Sequence, residues 1–362
     1  MNREALETWR SRVRGSLLGG AIGDALGAPV EFESGRKILK KHPQLLRTFV
    51  TGGAGWPPGT VTDDTQMTLF TIEGLIRAGV RSDRGLGLTL APVHHAYDRW
   101  LDTQQRSAPS GERDGWLQAE QWLYARRAPG NTCLGALRGA RQGGPRITQY
   151  GVQAVNSSKG CGGVMRVAPF GLLPERFGTA GVFDAAAEAA GYTHGHPTGK
   201  LASGALAAIV HEICGGAGLE AALDATAELL TRHEGHEETS TALAGARHQA
   251  ATAPGHGPVR VEELGGGWVA EEALAIGVYA ALAYPEPGQL LDALALAVTH
   301  SGDSDSTGAI CGNILGALHG ESALPPELAG AVEGRQVILE LADDFVREFS
   351  QRGHEAARYP GW

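Results

Sequence analysis

The chain has 362 residues, enough to bury a large core, and its 53 glycines, sparse aromatics and recurrent alanine-rich segments favour closely packed helices over sheets. With 31 basic and 40 acidic residues the net charge is −9, which excludes a global basic footprint for nucleic acid or membrane and points to small molecules or proteins as partners. The four cysteines are too widely spaced for a paired zinc or redox motif, and residues 1–14 hold no apolar core of signal length, so a cytoplasmic protein is expected.

In chain order, the first element is a small-residue helix, "GGAIGDALG", in which Gly19, Gly23 and Gly27 fall on one face. Each glycine costs a helix roughly 0.5–1 kcal/mol relative to alanine, so a row of them implies close approach of a second helix. Next, "GTVTDDTQMTLF" sets Asp63 and Asp64 side by side between Thr62 and Thr65, ahead of the amphipathic run "TQMTLFTIEGLI". Thr62 as the helix N-cap, with acids in the first turn, accounts for one aspartate but leaves the second unexplained.

Residues 104–115 and 231–266 are polar and rich in glycine or proline, and are expected to be surface loops or insertions. Between and after them, helical periodicity marks "VFDAAAEAAGY" from Val182, residues 201–213, "AEEALAIGVYAALAY" from Ala270 and "QLLDALALAVTH" from Gln289. Strand-like alternation is almost absent, so the expected class is all-α.

The last motif, "THSGDSDSTGAICG", repeats the earlier arrangement, with Asp303, Asp305, Ser306 and Thr307 opening a helix that carries Gly308, Gly312, Gly316 and Gly320 on one face. The glycine rows would bring Asp24, Asp303 and Asp305 towards one centre. Carboxylates alternating with hydroxyls form a hard oxygen set suited to Mg²⁺, Mn²⁺ or Ca²⁺ rather than zinc. "DSDSTG" matches the opening of an EF-hand loop, but position twelve is Ile314 where a glutamate is required. "TGKLASG" fails as a phosphate-binding loop because Leu201 stands where a Ser or Thr is needed.

Five ordered blocks, "GSLLGGAIGDALGAPVEF", "TDDTQM", "GCGGVMRVAPFGL", "THGHPTGKLASGA" and "GDSDSTGAICGNILGALHG", resemble those of the ADP-ribosylglycohydrolases, from about Arg14 to Gly320. The resemblance implies one domain spanning 1–362, a compact orthogonal helical bundle with two Mg²⁺ or Mn²⁺ ions in a central cleft, and removal of ADP-ribose from modified side chains. It further implies Thr62, Asp63 and Asp64 as one ligand group and Asp303, Asp305 and Ser306 as the other, with Asp24 supporting them. Glu31 resembles the acid over the scissile bond, with Glu33 close enough to compete. Asp63 and Asp303 are then catalytic as well as ligating.

In "NSSKGCGGVMRV", the residues Ser157, Ser158, Lys159, Gly160, Gly162 and Gly163, with Met165, offer hydroxyls, a cation and backbone amides to a diphosphate. His194 resembles a residue lining the nucleotide cleft, and equally reads as a helix-start histidine. Cys161 invites a nucleophile reading, but no histidine adjoins it in sequence and a free cysteine is most often inert; Arg166, followed by apolar residues, reads as structural. The expected activity is metal-assisted hydrolysis of an ADP-ribosyl bond, first at protein arginine. The alternatives are serine-, nucleobase- or small-molecule-linked ADP-ribose, or a non-catalytic binding or structural relative. ADP-ribose is the expected product and a monomer the expected state.

Overall fold

The computed structural model describes residues 2–52, 55–111, 114–252, 257–350 and 358–360. Among them the secondary structure is helical, apart from a single antiparallel bridge between Gly160 and Val269. The longer helices are α1 (Arg3–Gly27), α2 (Asp63–Asp83), α3 (Ala91–Gln105), α4 (Asn131–Ala140), α5 (Thr179–Gly191) and α6 (Pro197–Cys214). They continue with α7 (Leu219–Leu230), α8 (Glu237–Thr252), α9 (Ala270–Ala283), α10 (Leu290–Val298), α11 (Ser304–His319) and α12 (Arg335–Ser350). No described helix is long and apolar enough to cross a membrane.

The glycine rows meet as the sequence implies. α1 and α11 run antiparallel with Gly15 facing Gly316, Gly19 facing Gly312, Gly23 facing Gly308 and Gly27 facing Ser304. A Cβ added at Gly19 would lie 2.5 Å from the Gly312 carbonyl oxygen, and at Gly23, Gly308 or Gly312 it would meet the facing backbone at least as closely. The helix-propensity cost of these glycines is therefore offset by backbone-to-backbone van der Waals contact that any side chain would abolish. Gly320 closes the row as the C-cap of α11, with φ +78°. Because the pair is antiparallel, the C-terminal end of α1 is delivered to the N-terminal end of α11.

α2 is the central helix. It is buried on every side from Asp63 to Val80, as an element enclosed by neighbours must be, and it packs against α1, α3, α11 and α12. Its start is set by Thr62, extended at φ −102° and ψ −164°, whose hydroxyl accepts from the Asp64 amide at 3.3 Å. α12 packs on α1 and α2 and buries a stripe of Ile338, Leu341, Ala342, Phe345 and Phe349.

The segment 231–266, expected as a loop or insertion, holds α8 and a short helix, Pro258–Glu262. The α8 sequence, "EETSTALAGARHQAAT", has little apolar period, and only Thr239, Leu243 and Ala246 are buried. Packing against α9 supplies what propensity lacks. In 104–115, Gln104 and Gln105 finish α3, residues 106–111, 114 and 115 are not helical, and 112–113 lie outside the described residues.

Candidate active site

The first acid group is held by α1. The Asp24 carboxylate, buried in the last turns of that helix, accepts from the Thr62 amide at 3.0 Å, the Thr65 amide at 3.1 Å and the Thr65 hydroxyl at 2.5 Å. It thus acts as an added cap for α2 and fixes where Asp63 and Asp64 start. Burial pushes Asp24 up to about 6, with those hydrogen bonds opposing the rise. Asp63 Oδ2 faces the Gly130 amide at 3.4 Å, at the N-cap of α4.

The second group opens α11. Asp303 is its N-cap, accepting from the Ser306 amide at 3.3 Å, and Asp305 accepts from the same amide at 3.0 Å. The Cys161 thiol donates to Asp303 Oδ2 across 2.8 Å, and the Ser306 hydroxyl lies 3.9 Å from Met165 Sδ. The thiol is pushed well above its ordinary value by burial first and then by Asp303, so it stays protonated and is a poor nucleophile.

Glu31, in the turn leaving α1, joins the two groups. Burial raises it to about 9, with the charges of Asp303, Asp63 and Asp24 adding to the shift. Burial likewise raises Asp63, Asp64 and Asp305 well above the carboxylate range, and their mutual repulsion raises them further. Asp303 is raised by burial against its hydrogen bonds. Glu33 is placed differently: it pairs with Lys37 and Lys41 at 2.9 and 2.8 Å, and these bonds hold it below the usual range. Of the two glutamates, the structure brings only Glu31 to the acid cluster.

No lysine or arginine among the described residues pairs with Glu31, Asp63, Asp64, Asp303 or Asp305. Asp64 Oδ2 is buried without a hydrogen-bond partner. An orphaned carboxylate oxygen amid hard oxygen donors and no basic side chain is the environment a divalent cation satisfies, so these residues fit such a group. No three described acids, thiols or imidazoles enclose an ion by themselves, and a bound metal would draw on hydroxyl and water oxygens as well.

The glycine-rich segment lies alongside. Ser157 is exposed, and the Ser158 hydroxyl meets Thr132 at 3.1 Å. The Ser158, Gly160 and Cys161 amides are engaged by Asn156 Oδ1, Ser158 Oγ and the Trp268 carbonyl. Lys159 extends to Glu238 at 2.8 Å and to Glu271, so its ammonium is already paired with carboxylates of the chain. His194 is buried beneath Gly160, Gly162 and Gly163, and its Nδ1 is 2.8 Å from Thr193 Oγ1. Burial, then Arg166, lowers it to about 3, which keeps the imidazole neutral. Arg166 is structural: it reaches Thr193 Oγ1 at 2.6 Å and lies 4.3 Å above the Tyr97 ring.

Sequence reasoning missed Gly130, whose signal is the Gly-Asn pair at the start of α4. It also missed Gly266 and Gly267, whose amides bind Glu272 at 2.9 and 3.2 Å while the Gly266 carbonyl accepts from the Asp303 amide at 2.8 Å.

The ADP-ribosylglycohydrolase family model matches residues 5–355. The chain belongs to the ADP-ribosylglycohydrolase family. It is 26% identical over 318 residues to the ADP-ribosyl-[dinitrogen reductase] glycohydrolase of Rhodospirillum rubrum, covering 87% of each. It is also 26% identical to an ADP-ribosylarginine hydrolase of Pseudomonas putida (strain GB-1), covering 92% of this chain and 77% of the relative. A solved structure titled "ADP-ribosylglycohydrolase-related protein complex" superposes with a TM-score of 0.65 at 26% identity, covering 95% of this chain and 99% of that one. This ADP-ribosylglycohydrolase is thus a hydrolytic enzyme of ADP-ribose glycosidic bonds, and its all-helical architecture is that of the family.

Proposed function

We propose that this ADP-ribosylglycohydrolase cleaves the bond between ADP-ribose and a protein arginine, with two Mg²⁺ or Mn²⁺ ions held by Thr62, Asp63, Asp64, Asp303, Asp305 and Ser306. The observation that carries the reading is the buried cluster of acids lacking a basic partner, with Asp64 Oδ2 left unbonded. Bound ions would supply Lewis acidity and the positive charge that the acids lack.

The protein groups then divide the proton transfers. Glu31, buried beside the cluster, delivers a proton to the leaving guanidine nitrogen as the ribosyl C–N bond breaks. Asp63 or Asp303 takes the proton of the water whose oxygen forms the new C–O bond. The positive charge developing on the sugar is favoured by the surrounding carboxylates. Asp24 keeps α2 in place, while the Ser157 and Ser158 hydroxyls and the Gly162 and Gly163 backbone are assigned to the diphosphate, with His194 as the neutral floor. The arginine linkage is supported by the P. putida relative, an ADP-ribosylarginine hydrolase.

The test is a panel of arginine-, serine- and nucleic-acid-linked ADP-ribose substrates assayed with Mg²⁺, with Mn²⁺ and after chelation. Cleavage of the arginine linkage that is abolished by chelation and restored by either ion is expected. Turnover that survives chelation would remove the metals from the reading; cleavage of serine or nucleic-acid linkages alone would replace the acceptor. Inactivity on every linkage would leave a binding module.

A further inference from the structure

Phe32 and Trp268 are large aromatics left open to solvent, 77% and 45% exposed, and their rings stack at 5.6 Å between centroids and 23° between planes. They come from segments far apart in sequence, and both are anchored to the acid cluster. Phe32 directly follows Glu31. Trp268 follows Gly266 and Gly267, where the Gly266 carbonyl caps the Asp303 amide and a Cβ on Gly267 would sit 3.4 Å from Asp303 Cβ. The Trp268 carbonyl accepts from the amide of Cys161, whose thiol in turn touches Asp303. A backbone tied at these points presents the indole without further ordering, so the pair is joined through the chain to Glu31 on the Phe32 side and through backbone hydrogen bonds to Asp303 on the Trp268 side.

We infer that the Phe32–Trp268 pair is the platform on which the acceptor guanidinium of ADP-ribosylated arginine stacks, and that it selects this acceptor. The inference rests on the hydrolase reading above and adds the residues that read the leaving group. The scissile bond joins ribose to the guanidinium itself, so on that reading the acceptor group lies beside Glu31, the residue that precedes Phe32. A guanidinium is flat, weakly hydrated and cationic, and stacks on aromatic faces. The surroundings outside the proposed ion site have the complementary sign: Glu262 holds Ser301 and Glu272 holds the glycine loop beside Trp268. A serine acceptor offers no planar cation. A nucleic-acid acceptor can stack a base, but it brings further phosphates, beyond those of ADP-ribose, towards Glu262 and Glu272 in a chain of net charge −9.

The test compares the wild type with Phe32→Ala, Trp268→Ala and Trp268→Phe in three measurements. These are kcat and KM on an ADP-ribosylarginine peptide, ADP-ribose affinity by calorimetry in Mg²⁺, and competition by methylguanidinium. Trp268→Ala should raise KM about three- to tenfold with a smaller change in kcat, as expected for a lost cation–π contact. ADP-ribose affinity should hold within about twofold and methylguanidinium competition should weaken, with Trp268→Phe restoring most of KM. An equal loss of ADP-ribose affinity, or an unchanged KM in both alanine variants, would overturn the assignment. A wild type inactive on every linkage would sink the hydrolase reading instead. Methylguanidinium binding to the ADP-ribose-loaded protein, compared between wild type and Trp268→Ala, would then still decide the platform.

Discussion

Two groups of buried acids in this protein meet opposite fates. Along α2 and α3, Glu73 is met by Arg99 at 2.7 Å, Asp98 by Arg141 at 2.5 Å, and Asp102 by Arg141 at 2.8 Å and by Arg146. Asp114 shows what such pairing does: burial pushes it up, but the His95 hydrogen bond and the Arg99 and Arg77 charges outweigh this and hold it far below the carboxylate range. Around Glu31, Asp63, Asp64, Asp303 and Asp305 the same burial meets no guanidinium, and every one of these groups is raised. The first cluster is paired with guanidinium groups of the chain and belongs to the scaffold. The second is incomplete within the chain, and locally destabilising sites of this kind persist where function requires them.

The comparison breaks most visibly at Asp303. Asn caps a helix as well as Asp, so Asp303→Asn keeps the start of α11 while removing one charge. Turnover should fall about 10³-fold or more, equivalent to ~4 kcal/mol of barrier, while the melting temperature of the metal-free protein stays the same or rises. Full activity after chelation and Mg²⁺ add-back would remove Asp303 from the site, and a large loss of stability would place it with the scaffold acids.

Asp98→Asn is the mirror experiment. It leaves a buried Arg141 short of one partner, and unfolding free energy should drop by about 3 kcal/mol, at the lower end for a broken buried pair because Asp102 still faces the guanidinium. The kinetics of the folded fraction should change little. A chemical denaturation curve matching the wild type would refute the idea that this cluster is structural.

How much of this was legible in the sequence differs between the two clusters. The active-site acids sit in short contiguous motifs whose local role, capping a helix, already left one aspartate over. The glycine rows at a four-residue spacing disclosed which helices must touch, and hence that Asp24 and Asp303 approach one another. The scaffold cluster gave no such sign, because Asp98, Asp102, Arg141 and Arg146 are joined only by tertiary contact between α3 and the segment after α4. α8 was illegible for the same reason, since packing on α9 rather than an apolar period holds it. Phe32 and Trp268 escaped notice because exposure, not residue type, makes them unusual. Lys159 read as a free cation because Glu238 and Glu271 are remote in sequence.

The seam between α1 and α11 sets the distance between the acid groups, so Gly312→Ala tests the scaffold beneath the site. Its Cβ would collide with the backbone at Gly19. A stability loss of about 2 kcal/mol is expected from overpacking, with turnover falling as the helix starts shift. A variant as stable as the wild type would show that the helices can part without cost.

The pH dependence of the unpaired cluster should separate it from the paired one. Folded-state values near 6 for Asp24 and 9 for Glu31 lie above the ordinary 3.8 and 4.5. Between these limits the folded chain holds protons that the unfolded chain has released, so the stability of metal-free protein falls as pH rises from about 4 to 9. A divalent ion needs the deprotonated acids, so its stabilisation should grow over the same window, reaching about 1.4 kcal/mol at ten times its dissociation constant. Melting curves in Mg²⁺ and in chelator across that range test both trends. A metal-free melting temperature that climbs with pH would mean the acids are compensated within the chain after all.

The smallest effect is expected at Cys161, where geometry and chemistry point in different directions. Its sulfur touches Asp303, as a nucleophile placed at the reacting centre would, yet burial and the neighbouring carboxylate keep the thiol protonated. A protonated thiol serves as a hydrogen-bond donor to Asp303, and a serine hydroxyl serves equally well. Cys161→Ser should therefore retain turnover within about threefold, ~0.6 kcal/mol, and iodoacetamide should modify the wild-type residue slowly at neutral pH. A loss comparable with that of Asp303→Asn would make the sulfur itself part of the chemistry, and the division of proton transfers between Glu31 and the aspartates would have to be redrawn around it.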